Sequence, residues 1–166
     1  TDGRSFSSSV HTPQTMETDM SGKNRLNIYQ SQPKAIEALA QVEALLGACG
    51  LDAKLKHLVK LRASQINGCA YCVNMHSKEA RDDGETNARL DHLVVWRNVD
   101  MFSAAEKAAL AWTEAMTKQG TGADLDRLHE DLIPHFTQDE IDLLTLVIVM
   151  INAWNRIQVA NSYPSF

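Results

Sequence analysis

The segment "TQDEIDLLTLVIVMINAWNRIQVANS", residues 137–162, constrains the fold of this chain more than any other stretch. Thr137 and Glu140 stand at the spacing of a capping box, which marks a helix start. From Leu143 to Ile151 only Thr145 interrupts the apolar run. A helix that is apolar nearly all round must be covered on every side, at the centre of a domain or in a subunit interface. The apolar window itself is far short of the roughly 20 residues that a membrane span requires. Asn152, Asn155 and Arg156 follow it without a loop signal, and amides and a guanidinium placed there need partners. Either they satisfy helix ends and loop carbonyls, or they brace a site from behind.

The rest of the chain reads as helix after helix. "PKAIEALAQVEALLGACG" opens on Pro33 and closes on Gly50, the expected asymmetry of helix ends. "LDAKLKHLVKLRASQ" sets Leu51, Leu55, Leu58, Val59 and Leu61 at helical spacing and stops at the turn signal Asn67–Gly68. A further helix is expected from near Cys69 to Gly84. "TNARLDHLVVWRNV" follows, with Leu90, Leu93, Val94 and Trp96 on its apolar side. Ser103 and Glu106 form a second capping box at the head of "SAAEKAALAWTEAMTKQG", and "DLDRLHEDLIPHF" is a shorter amphipathic helix. No stretch reads as a strand and no repeat is found. The expectation is an all-α bundle of about six to seven helices in one domain, residues 25–166. Residues 1–24, rich in Ser and Thr, read as a disordered or loosely attached tail.

Composition narrows the function. With 16 Lys and Arg against 21 Asp and Glu, the 166-residue chain carries a formal charge of -5. It has no basic cluster, so no nucleic-acid partner is expected. Nor is a membrane partner, and with no charged-then-apolar leader pattern a cytoplasmic location follows by default. In that reducing compartment a C-x-x-C is more often catalytic or metal-binding than a structural staple.

Such a spacing occurs in "NGCAYCVNMHSKEA", residues 67–80. On a helix, Cys69, Cys72 and His76 fall at i, i+3 and i+7, which is one face. Cys69 lies at the helix start, where exposed N–H groups and the macrodipole lower a thiol pKa. Cys72 has His76 as its i+4 neighbour. Two thiols within disulfide reach beside a titratable base suit thiolate chemistry. The competing readings are a zinc site and two buried cysteines acting as small hydrophobes. A structural zinc site usually takes four ligands, and none of His57, His92, His129 or His135 forms a second clustered half-site. Val73 stands where c-type haem attachment would need His, and Cys49 alone is too few thiols for an iron–sulfur cluster. No metal and no cofactor are therefore expected. Cys49, without polar company in "LLGACG", reads as core filler.

"LVKLRASQINGCAYCVNMHSKEARDDGE", followed at a distance by "INAWNR", resembles the carboxymuconolactone decarboxylase / alkylhydroperoxidase D superfamily, in its alkylhydroperoxidase-like branch. The likeness covers about residues 33–159. It implies an all-helical fold that assembles as a homo-oligomer, a trimer or hexamer. It implies a peroxidase in which Cys72 attacks a small-molecule hydroperoxide and becomes a sulfenic acid. Cys69 then closes a disulfide, His76 relays the proton, and a dithiol protein or small thiol reduces the pair. The dipole argument alone favours Cys69 as the attacking thiol. Its roughly 0.3–1 kcal/mol is smaller than the effect of a directly bonded base, so Cys72 is taken. The family motif is E-x11-C-x-x-C-x3-H, and His57 stands where the glutamate would be. A second imidazole can act as a base near neutral pH but cannot hold an imidazolium by charge. If His57 takes part, thiol alkylation should show an inflection between about pH 6 and 7.5 that His57→Ala removes. Ile66, Val73 and Met75 around the motif suit an organic peroxide. The alternatives are the family's lactone decarboxylation, which needs no thiol pair, and a non-enzymatic thiol redox sensor.

Overall fold

The structure is a computed structural model and describes residues 24–120 and 122–161. The expected tail, residues 1–24, lies outside the described residues but for Asn24. The described residues form eight α-helices and one 3₁₀ segment, with no strand among them. The chain is all-α, as its sequence leads one to expect, with more helices than the six to seven anticipated. The additions are a single turn, α1 (Ile28–Ser31), and a division of one expected helix.

Helix α2 (Pro33–Gly47) begins on its proline, whose missing N–H costs nothing in a first turn. Helix α3 (Ala53–Asn67) is capped by Asp52, which accepts the Leu55 N–H at 2.8 Å. It ends on Gly68 at φ 66°, the left-handed conformation that favours glycine. There the Cys69 N–H reaches back to the Ser64 carbonyl at 3.1 Å. Helix α4 (Ala70–Asp82) starts immediately afterwards with Cys69 as its cap. The sharp α3–α4 turn thus presents the cysteine pair at a defined angle to α3.

The expected helix after Thr86 divides into α5 (Asn87–His92) and the 3₁₀ segment Leu93–Asn98. Leu90, Leu93 and Trp96 are buried, whereas Val94 is exposed. The expectation that put Val94 on the apolar side is corrected. The buried set repeats every three residues, which is the period of a 3₁₀ helix. Two adjacent β-branched valines, Val94 and Val95, gain little from an α-helical continuation, and Val95 departs from helical dihedrals at φ -120°.

Helices α6 (Ala104–Thr117), α7 (Leu125–Leu132) and α8 (Gln138–Asn161) complete the bundle. Both capping boxes form: Ser103 with Glu106, and Thr137 with Glu140. Two apolar clusters make the core, and α3 serves both. Leu55 and Val59 join α8 residues Leu144, Val147 and Ile148 in one; Leu58 and Leu61 join Leu93, Trp96 and Leu110 in the other. Thr145, the lone interruption in the apolar run, accepts the Trp112 indole N–H at 3.0 Å and donates to the Ile141 carbonyl.

Helix α8 is long and apolar enough to cross a membrane by length and composition, yet its inner face forms the core of the bundle. The expectation that it is covered on every side does not hold within one chain. Leu146 and Val149 are 50% and 48% exposed. The neighbouring helices cover only the stripe that faces them.

Candidate active site

The cysteine pair sits where α3 hands over to α4. Cys69 and Cys72 are bonded as a disulfide, with Cα atoms 5.3 Å apart, and both side chains are buried. Cys69 occupies the cap position, and its sulfur accepts the Cys72 N–H at 3.3 Å. A sulfur in that position receives the electrostatic benefit of the helix N-terminus. His76, one turn beyond Cys72, is 4% exposed.

The two imidazole nitrogens of His76 have different surroundings. Nδ1 lies 2.8 Å from the Glu79 carboxylate. Nε2 is buried and has no hydrogen-bond partner. A carboxylate can only accept, so it selects the tautomer with the proton on Nδ1 and leaves Nε2 with a free lone pair. Burial lowers the pKa of His76 against the opposing pull of Glu79, which keeps the ring neutral near pH 7. The result is an oriented base on the cysteine face of α4.

Cys72 and His76 line a common cavity of about 520 Å³. Helix α4 also gives it Tyr71, Met75 and Glu79, and α8 gives Ile151, Trp154 and Gln158. Tyr29 of α1, Glu43 of α2 and Lys60 of α3 close the remaining sides. Tyr29 is fastened by its hydroxyl to Gln158 at 3.1 Å, and Arg25 holds the same segment to the α8 carbonyls of Val159 and Ala160. Of the apolar residues singled out around the motif, Met75 lines this cavity and Ile66 and Val73 do not; Val73 packs into the second core cluster.

His57 has a different neighbour. Its Nε2 lies 2.6 Å from the Asp83 carboxylate at the end of α4, and its Nδ1 is buried without a partner. No hydrogen bond therefore joins His57 to His76, and His57 is not among the cavity residues. Among the described residues, no three His, Cys, Asp or Glu side chains are grouped to hold a metal ion.

The amides of α8 brace the turn from behind. Asn67, two residues before Cys69, donates to the side-chain oxygens of both Asn152 and Asn155 at 2.9 Å. Asn155 in turn donates to Ser64 at 3.0 Å, and Arg156 donates to the Asn152 side chain at 2.8 Å. These bonds share partners and so tie α8 to the α3–α4 turn as one network.

Glu79, Glu43, Lys60 and Tyr29 are not singled out by sequence reasoning. Glu79 carries a usable signal, since i+3 from His76 is side-chain contact distance on a helix. The others lie on separate helices, and only packing brings them to the cavity.

A disulfide at a helix start and a buried imidazole on the same helix thus sit in an all-helical frame. The chain belongs to the carboxymuconolactone decarboxylase family, whose model matches residues 33–115. It is 34% identical over 136 residues to the uncharacterized protein YdfG of Bacillus subtilis, covering 82% of this chain and 92% of that one. A solved structure of ATU0492 from Agrobacterium tumefaciens superposes with a TM-score of 0.81 and 39% identity, covering 87% of this chain and all of that one. That protein is described as of unknown function and put forward as an antioxidant defence protein, AhpD. The fold is also shared with the debrominase Bmp8, at a TM-score of 0.72 and 19% identity, over 82% of this chain and 74% of that one. A variant of Bmp8 with one cysteine replaced by alanine has been solved in complex with 2,3,4-tribromopyrrole.

Proposed function

We propose that this protein is a thiol-dependent peroxidase that reduces small organic hydroperoxides through a Cys69–Cys72 dithiol–disulfide cycle. The observation that carries the reading is the shared cavity, lined both by Cys72 and by a histidine whose Nε2 has no partner and whose Nδ1 is held by Glu79. In the reduced protein, His76 Nε2 takes the Cys72 thiol proton, and Glu79 steadies the imidazolium. The thiolate attacks the distal peroxide oxygen. An S–O bond forms, the O–O bond breaks, and the leaving alkoxide takes the proton back from His76 to depart as an alcohol. The sulfenic acid on Cys72 condenses with the Cys69 thiol, releasing water and closing the disulfide. A dithiol reductant, of the kind a cytoplasmic compartment supplies, reopens it by exchange.

Cumene hydroperoxide consumption by the full chain in the presence of dithiothreitol tests the reading. Turnover is expected in the wild type and absent in Cys72→Ser. A dimedone-type reagent should trap a sulfenic acid in Cys69→Ser; an adduct found only in Cys72→Ser would exchange the two thiols. No peroxide consumption above the thiol background would end the peroxidase reading. His57 takes part in proton traffic only if the alkylation profile of His57→Ala loses an inflection that the wild type shows.

The aromatic edge of the cavity (Tyr29, Tyr71 and Trp154) favours one second reading, reductive removal of halogen from a flat ring. There the dithiol is oxidised to the disulfide, and a carbon–bromine bond is replaced by carbon–hydrogen with bromide and a proton released. Bromide release from a bromopyrrole by the reduced protein would select it over peroxide reduction.

A further inference from the structure

Glu43 and Lys60 stand out among the cavity residues because neither belongs to the cysteine motif. They come from α2 and α3 and form an ion pair, with Lys60 only 14% exposed and Glu43 31% exposed. A partly buried pair of this kind is weak evidence for stability by itself. Its direction is what matters here, since both side chains line the space that Cys72 and His76 share.

Lys60 is also held from behind. Its carbonyl accepts the Ser64 hydroxyl at 2.8 Å, and Ser64 accepts the Asn155 amide at 3.0 Å. Asn155 is the residue that receives Asn67 at the α3–α4 turn. The backbone that carries the cation and the backbone that carries the cysteines are therefore fixed by one buried network.

The charges around His76 can be assigned by element. Helix α4 provides Glu79, Tyr71 and Cys72, helix α1 provides Tyr29, and helix α8 provides no ionisable group to this cavity. Lys60 favours the neutral imidazole, whereas Glu43 favours the imidazolium. The two act in opposition on the same ring.

We propose that Glu43 and Lys60 are positioning residues of the dithiol site: the Lys60 ammonium, anchored across the cavity by Glu43, supports the negative charge that forms on Cys72 and then on the oxygen it displaces. The second half rests on the peroxidase reading and the first half does not. Lys60 gives up no proton in this scheme. The proton that His76 takes from Cys72 still returns to the leaving oxygen, and the cation acts through its field alone. A cation near a thiol and an imidazole favours thiolate and neutral ring together, which is the pairing that a nucleophile and its base require.

The test uses reduced full-length protein with Lys60→Met, Glu43→Gln and Lys60→Arg. Cys72 alkylation by iodoacetamide is followed against pH, and single-turnover oxidation by cumene hydroperoxide is followed at fixed pH. Lys60→Met should move the alkylation inflection up by about one pH unit, the size expected for loss of a neighbouring charge. Glu43→Gln, which leaves the cation unopposed, should move it down. Lys60→Arg should restore the wild-type position. Inflections that stay in place, or that move the same way in Lys60→Met and Glu43→Gln, would overturn the proposal and leave the pair a link between helices. If Lys60→Met fails to fold, the NMR titration of His76 in Glu43→Gln decides instead. Its pKa falls if the proposal holds and stays put if it does not. Opposed shifts without peroxide oxidation in any variant would retain the charge arrangement and reject the peroxidase reading.

Discussion

Glu114 and His76 are both ionisable side chains almost withdrawn from water, at 8% and 4% exposed, yet their surroundings are built on opposite principles. Glu114 is saturated. It accepts from Arg62 at 2.7 Å, from the Trp96 indole at 3.0 Å and from Arg97 at 2.5 Å, so α3, the 3₁₀ segment and α6 are tied at one carboxylate. Burial works to raise its pKa, but the bonds from Arg97, Trp96 and Arg62 outweigh it and hold the group below the usual carboxylate value. His76 is satisfied on one side only, its other nitrogen is buried without a partner, and the residue lines a cavity. A buried polar group with every partner in place holds a fold together. One with a vacant lone pair beside a nucleophile is available for chemistry.

Mutation should separate the two most sharply at Glu114. Glu114→Ala leaves two arginines and an indole without their acceptor, and about 3 kcal/mol of folding stability should be lost in urea unfolding. The pH profile of Cys72 alkylation should not move, and a shift would make the cluster part of the site. His76→Leu is the converse. Peroxide turnover should fall about 100-fold, while the urea midpoint holds or rises because an unpartnered nitrogen has been removed. A large loss of stability there would make His76 structural. Glu79→Gln keeps the shape but removes the charge that holds the imidazolium, so a fall of about tenfold in turnover is expected, with little change in stability.

The smallest effects separate the two groups by pH. Both have native pKa values below their ordinary ones. The unfolded chain then binds more protons than the native one, so stability rises with pH through each window. The His76 contribution is complete above the unfolded histidine value of about 6.5 and is lost as pH falls through the native one. The Glu114 contribution is complete above about 4.3 and is lost at lower pH still. Acid titration of the urea midpoint should show His76→Leu flattening the upper window and Glu114→Gln the lower one. Exchange of those windows would reverse the assignments.

The sequence made the cysteine face legible because it is local. Cys69, Cys72 and His76 lie within eight residues of one helix, and helical geometry alone puts them on one side. Glu79 was equally local and could have been found by the same rule. Glu43, Lys60 and Tyr29 could not, since nothing in a heptad or a cap says which exposed face of α2 will meet which face of α3. His57 illustrates the limit from the other side. The family spacing points it at the relay, whereas packing pairs it with Asp83 at the far end of α4. The 3₁₀ segment was missed for a related reason, because Leu90, Leu93 and Trp96 satisfy a period of three nearly as well as one of 3.6.

By itself, the sequence determined that this chain is helical, where most of its helices begin, and that two thiols and an imidazole share a helical turn or two. Those outcomes follow from short-range rules of capping, periodicity and turn chemistry. Tertiary structure alone decided which nitrogen of His76 is free, which charges look across the cavity, and which stripe of α8 stays uncovered. Each depends on contacts between residues far apart in the chain, whose energies exist only once the helices have packed.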